Sequence, residues 1–160
     1  MKRNALLVAL LLLLTTLIPG GAVAEETNTS YVFDAFDGTA LELTPYEGKA
    51  VYISFFTSWC GYCMQEMPYI AQAFQKYSPD EVQFLLVHVW SGEDDSVTPG
   101  IVEKYDLGDI PVIEDKDTSL AAIVGLQGFP TNIFIDREGN LHQYTYALHE
   151  GELEKTLEAM

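Results

Sequence analysis

Apolar and polar positions change pattern several times along this chain. Ala5 to Ile18 is an uncharged apolar run, and from Tyr31 onward the apolar residues fall into short, separately patterned blocks. Lys49 to Phe56 is apolar almost throughout, as expected of a strand covered on both faces, and Val82 to Trp90 reads the same way. Between them Met64, Met67, Ala71 and Phe74 recur at helical spacing, which predicts a helix over about Gly61–Tyr77 with one buried face. Pro68 lies inside it and predicts a kink. Tyr31–Phe36 and Ala40–Leu43 flank Asp37-Gly38, a hairpin signal. Further helices are expected at Val97–Tyr105, Ser119–Val124 and Glu152–Met160. Strands at Thr131–Ile135 and Leu141–Tyr146 are joined through Asp136–Asn140. Strands alternating with helices and closing on an antiparallel hairpin predict an α/β fold with a mixed sheet flanked by helices.

The amino terminus stands apart from this plan. Lys2 and Arg3 precede the apolar run, Pro19-Gly20-Gly21 breaks it, and Ala22-Val23-Ala24 has the small-x-small form that signal peptidase cuts. The run is shorter than the roughly 20 residues of a membrane-spanning helix. Residues 1–24 are therefore predicted to be a signal peptide cleaved after Ala24, with an uncleaved membrane anchor as the alternative. Residues 25–30 read as a flexible lead-in and 31–160 as one domain without repeats. Cleavage removes Lys2 and Arg3, leaving 6 Lys+Arg against 24 Asp+Glu, a net charge of −18. Such a surface repels phosphate backbones, so nucleic acid is excluded as a partner. Disulfides persist outside the cytoplasm, and an exported protein with two cysteines is expected to act on the thiols of other proteins.

Those two cysteines, Cys60 and Cys63, sit within Trp59-Cys60-Gly61-Tyr62-Cys63. A crosslink over so short a loop restrains the unfolded chain little, so a stabilising staple is a poor reading. A pair at a strand-to-helix junction suits a reversible dithiol/disulfide switch. Cys60 is placed at the helix start, where unpaired N–H groups and the macrodipole favour a thiolate, and Cys63 one turn in. Cys60 is then the attacking sulfur and Cys63 the resolving one. The alternative, half of a zinc site, lacks ligands, because His88, His142 and His149 show no paired spacing. No metal or cofactor is expected. Asp115–Ser119 begins like a calcium loop, but Leu120 and Leu126 stand where Gly and Glu are needed. His88, in an apolar strand, reads as a satisfied core histidine.

The run Ser54–Pro68 resembles the active-site segment of thioredoxin-like proteins, and more narrowly the TlpA/ResA/CcmG group of exported thiol-disulfide oxidoreductases. Cys60, Cys63, Glu66 and Pro68 fall on that group's C-x-x-C-x-x-E-x-P pattern. Gly128-Phe129-Pro130-Thr131 resembles the cis-proline loop that faces the cysteines. Phe134–Asn140 resembles the strand and hairpin turn that follow it, and Val82–Val124 the group's strand-helix insertion. The resemblance covers about Tyr31 to Met160. Ser54 replaces the Asp or Asn common six residues before the first Cys, Phe129 is bulkier than the usual residue before the proline, and Gly61-Tyr62 departs from the Gly-Pro of thioredoxin.

The resemblance implies a thioredoxin-like fold with an N-terminal β-hairpin and a central strand-helix insertion. It implies that Glu66 lies near Cys63 and exchanges protons with it, and that Pro130 follows a cis bond. Trp59, Phe129 and Pro130 would form the surface on which substrate docks. The implied activity is reduction of disulfides in exported proteins, often during cytochrome c maturation, by a monomer recharged by a membrane thiol donor. Glu66 has a simpler reading as a favourable charge in a helix's first turns. A disulfide oxidase or isomerase, a thiol peroxidase and a non-catalytic binding module stay open as alternatives.

Overall fold

The computed structural model describes residues 31–38, 40–43 and 48–160; the expected signal peptide and lead-in lie outside the described residues. In chain order the elements are β1 (Tyr31–Asp34), β2 (Ala40–Leu43), β3 (Ala50–Phe56), α1 (Gly61–Phe74), β4 (Val82–Val89) and α2 (Val97–Lys104). They continue with β5 (Val112–Asp115), α3 (Ser119–Ile123), β6 (Thr131–Ile135), β7 (Leu141–Tyr144) and α4 (Glu152–Glu158). β1 and β2 pair as the expected antiparallel hairpin. The other five strands form one sheet in the order β5-β4-β3-β6-β7. β3, β4 and β5 run parallel, and β6 and β7 antiparallel to their neighbours.

The apolar run of β3 takes the centre because both its faces must be covered. Tyr52 and Phe56 point to one side and join Phe84, Leu86 and Phe134, packed against Met67 and Ile70 of α1 and Leu153 and Leu157 of α4. Phe55 points to the other, with Leu85, Val87 and Ile133 against Ala121 of α3. Period-two alternation thus divides the core into two layers. The α1 layer also receives polar residues at β3 and β6 positions: Ser54 and Asn132 are register partners and fully buried.

Two sequence expectations are corrected. The helix begun at Gly61 ends at Phe74 rather than Tyr77, because Ser78 and Glu81 close a competing turn. Glu81 accepts hydrogen bonds from the Ser78 backbone N–H at 2.9 Å and from its hydroxyl at 2.8 Å. The strand β5 was not expected. Its four residues, two of them acidic, are too few to show a period, and pairing with the exposed edge of β4 makes the strand. The expected insertion, Val82–Val124, thus resolves into β4, α2, β5 and α3.

Candidate active site

β3 ends at Phe56 and the chain turns at once into α1. The Cys60 N–H donates to the Thr57 carbonyl at 3.2 Å, and Cys60 itself is the N-cap, in extended conformation at φ −80° and ψ 102°. Its Sγ accepts from the Cys63 N–H at 3.1 Å, the bond a Ser or Asp would make at that position. A sulfur there faces the positive end of the helix dipole, and the first turn of α1 carries no acidic residue to oppose a negative charge. Cys60 and Cys63 are joined as a disulfide with Cα atoms 5.2 Å apart. Cys60 retains 6% exposure and Cys63 none, so only one sulfur is presented to solvent.

Around that sulfur lies an aromatic rim. Trp59 is 66% exposed and Tyr62 69% exposed, a poor arrangement for residues whose only task is packing. Trp59 meets Phe129 edge to face at 5.8 Å. The Phe129–Pro130 bond is cis. The Thr131 hydroxyl donates to the Gly128 carbonyl at 2.8 Å and closes this loop on itself. A groove of about 410 Å³ runs from Tyr62 past Phe129 and Pro130 to Tyr146 and Glu152. The Trp59–Tyr62 turn and the Phe129–Pro130 loop are thus brought to one surface from two separate chain segments.

Glu66 is 1% exposed, one helical turn beyond Cys63 on the same face of α1. Its Oε1 accepts from Asn132 Nδ2 at 2.7 Å and from the Leu148 N–H at 3.2 Å, while Oε2 has no hydrogen-bond partner. Burial dominates, pushing this carboxyl up from 4.5 to about 7 despite the bonds that favour its charged form. A helix-start charge on the solvent face would not be so placed.

Asn132 and Tyr52 belong to this site, and sequence reasoning missed both. The Asn132 amide donates to Glu66 and, at 3.1 Å, to the Tyr146 carbonyl, and its Oδ1 accepts from the Tyr52 hydroxyl at 2.7 Å. It therefore links the buried acid to the wall of the groove. The available signal was a polar amide within the apolar run Thr131–Ile135, two residues after the loop proline. Asn132→Leu is expected to strand the Tyr52 hydroxyl and the Tyr146 carbonyl, costing about 1–3 kcal/mol for each group left unpaired. It also removes a bond that favours ionised Glu66, so the Glu66 titration should move further up. Urea unfolding and an NMR titration of the Glu66 carboxyl measure the two effects.

Two other sequence features receive structural assignments. Asp115 accepts from the N–H groups of Leu120 at 3.1 Å and Ala121 at 2.9 Å, capping α3 with its carboxylate. His88 is buried in the core as expected, but only half satisfied: Nδ1 bonds Thr98 Oγ1 at 2.8 Å and Nε2 has no hydrogen-bond partner.

A sequence model of the Redoxin family matches residues 24–159. The thiol-disulfide oxidoreductase ResA of Bacillus thuringiensis subsp. konkukian is 30% identical over 156 residues, covering 89% of this chain and 88% of that protein. The ResA of Halalkalibacterium halodurans is 27% identical over 138 residues, covering 86% and 77%. Among solved structures, a secreted Mycobacterium tuberculosis disulfide oxidoreductase homologous to DsbE superposes with a TM-score of 0.71 at 22% identity, covering 81% of this chain and 96% of that one. The exposed lipoprotein thioredoxin of Streptococcus pneumoniae gives 0.68 at 25% identity, covering 82% and 100%. With a helix-capping Cys60–Cys63 disulfide at the end of the central strand of a thioredoxin-like sheet, the chain belongs to the Redoxin family and, within it, to the ResA-type thiol-disulfide oxidoreductases.

Proposed function

We propose that the chain works outside the cytoplasm as a reductant of protein disulfides, with Cys60 attacking, Cys63 resolving and Glu66 moving the proton. The observation that carries this reading is the pairing of a capping Cys60 Sγ with a buried Glu66 carboxyl one turn beyond Cys63. The Cys60 thiolate attacks one sulfur of the substrate disulfide, forming a mixed disulfide and releasing the other sulfur as a thiolate. Cys63 then loses its proton to Glu66 and attacks Cys60 Sγ, closing the Cys60–Cys63 bond and releasing the second substrate thiol. Two electrons pass to the substrate, and a carboxyl titrating near 7 is well matched to taking and returning one proton at neutral pH.

Trp59, Phe129 and Pro130 hold the substrate chain in this proposal. An extended segment laid along the Phe129–Pro130 loop pairs with its backbone and rests on the two aromatic faces. The layout of residues 1–24 supports an exported protein, and a membrane thiol donor would restore the dithiol. Cytochrome c assembly is the setting that the family resemblance favours. The deciding measurement is the potential of the Cys60/Cys63 couple, since proteins with this motif span about −120 to −270 mV. The reductant reading expects a value near the lower end, rapid reduction of a protein disulfide by the dithiol form and almost no consumption of peroxide. A potential near the upper end would make the protein an oxidant, and peroxide turnover would make it a peroxidase.

A further inference from the structure

A second polar chain lies on the β4 side of the Cys60 turn, and the exchange chemistry makes no use of it. His88 is fully buried and stacks on Phe56, with ring centroids 4.9 Å apart and planes 8° from parallel. Thr98 of α2, also buried, donates its hydroxyl to Glu114 Oε1 at 2.6 Å. A hydroxyl has a single hydrogen, so Thr98 Oγ1 can only accept from His88 Nδ1, 2.8 Å away. That direction fixes the tautomer: in the neutral ring Nδ1 carries the hydrogen and Nε2 the lone pair.

Nε2 points at Glu93 Oε1, 3.6 Å away and beyond hydrogen-bond distance. The same Oε1 accepts the Ser58 hydroxyl at 2.5 Å, while Oε2 is held by the Ser91 N–H at 2.7 Å. Two acceptors therefore face each other next to a buried ring, and a proton on Nε2 converts their repulsion into an ion pair. Ser58 lies in the Thr57–Cys60 turn, two residues before the sulfur that caps α1.

We infer that His88, Glu93 and Ser58 form a positioning relay for Cys60, in which a protonated His88 takes Glu93 Oε1 from Ser58 and resets the turn carrying the nucleophile. The functional half of this inference rests on the oxidoreductase reading above. The charged groups facing His88 are Glu93 from the loop after β4 and Glu114 from β5. Lys116 Nζ lies 3.1 Å from the other oxygen of Glu114, Oε2. Burial outweighs both carboxylates and holds the imidazole below its usual value, while Glu93 is lowered to about 2 and stays ionised. Only His88 changes charge within the relay, and it does so below pH 6.5.

The oxidised protein tests the structural half cleanly, because neither sulfur titrates in a disulfide. An NMR titration from pH 8 to pH 4.5 should show His88 as the Nδ1–H tautomer at high pH. The backbone amides of Ser58, Trp59 and Cys60 should shift with the same midpoint as the His88 ring. In Glu93→Gln that shared titration should vanish, since the amide can still accept from Ser58 but offers His88 no charge. A Glu66→Gln protein separates out the Glu66 titration near 7 and should keep the shared one. For the functional half, the rate of attack on a model disulfide, corrected for thiolate fraction, should fall about five-fold across the His88 titration. That is the net worth of one hydrogen bond. Ser58→Ala should show the acid-side rate at every pH, and this half-buried hydroxyl carries the test if Glu93→Gln fails to fold. Amides that ignore the His88 titration, or a rate step unchanged in Ser58→Ala, would overturn the relay. A wild type with no disulfide exchange at all would overturn the oxidoreductase reading and leave the amide result to judge the relay alone.

Discussion

Cys63→Ala should accumulate covalent complexes with disulfide-bearing partners and lose multiple turnover. The reason is the asymmetry of the two sulfurs. Cys60 caps α1, keeps 6% exposure and has the helix dipole behind it; Cys63 has no exposure and donates its own N–H toward its partner's sulfur. Removing Cys63 leaves an attacking thiolate that forms one bond to substrate and has nothing to break it, so each chain should trap up to one equivalent. These complexes should be visible on non-reducing gels and vanish with reductant. Cys60→Ala removes the exposed sulfur and should trap little, because a buried thiol ionises poorly and is out of reach. Equal trapping by the two variants would reject the division of labour. Trapping by neither, with no disulfide reduction by the wild type, would point to a binding module.

Glu66→Gln should change stability and exchange in a pH-dependent way whose sign is set by the raised pKa. The unfolded carboxyl titrates near 4.5 and the folded one at about 7. Between these values the folded protein keeps a proton that the unfolded chain has released. The contribution is therefore fully present below pH 4.5, declines as pH rises and is lost above about 7, on the order of 3 kcal/mol in all. Gln cannot titrate, so the variant should lack this slope. His88, held below its ordinary value by burial, works in the opposite direction: its contribution is present above pH 6.5 and is lost as pH falls from 6.5 through the lower value of the folded imidazole. Subtracting the variant from the wild type in urea unfolding of the oxidised protein at pH 4.5, 6 and 8 isolates Glu66. Exchange should also slow in the variant if, as proposed, Glu66 takes the Cys63 proton. A difference that does not vary with pH, together with unchanged exchange rates, would reduce Glu66 to a packing residue.

Much of the fold was legible because its strongest elements carry strong local patterns. β3 and β4 are apolar runs bounded by turns, and α1 has four apolar residues at helical spacing, so neighbouring residues alone specify them. β5 was not legible, since a four-residue edge strand with Glu114 and Asp115 owes its conformation to the strand beside it. The carboxyl end of α1 was misjudged for a related reason. Helical pattern continues to Tyr77, but the Ser78–Glu81 hydrogen bonds offer the backbone a better local alternative.

By itself the sequence determined the α/β class, the placement of two cysteines at a strand-to-helix junction, and the position of Cys60 at the helix start with Cys63 one turn in. These follow from contacts within a few residues: a central strand, the helix it enters and the N–H groups at that helix's start. Only the tertiary structure decided what surrounds Glu66 and His88. Glu66 is held by Asn132 and Leu148, which lie 66 and 82 residues away along the chain. His88 faces Glu93 and Thr98 because a loop and a helix fold back over its strand. A carboxyl or an imidazole acquires its protonation behaviour from the water it loses and the partners that replace that water. Those partners are chosen by packing across the sheet, which no local spacing in the chain records.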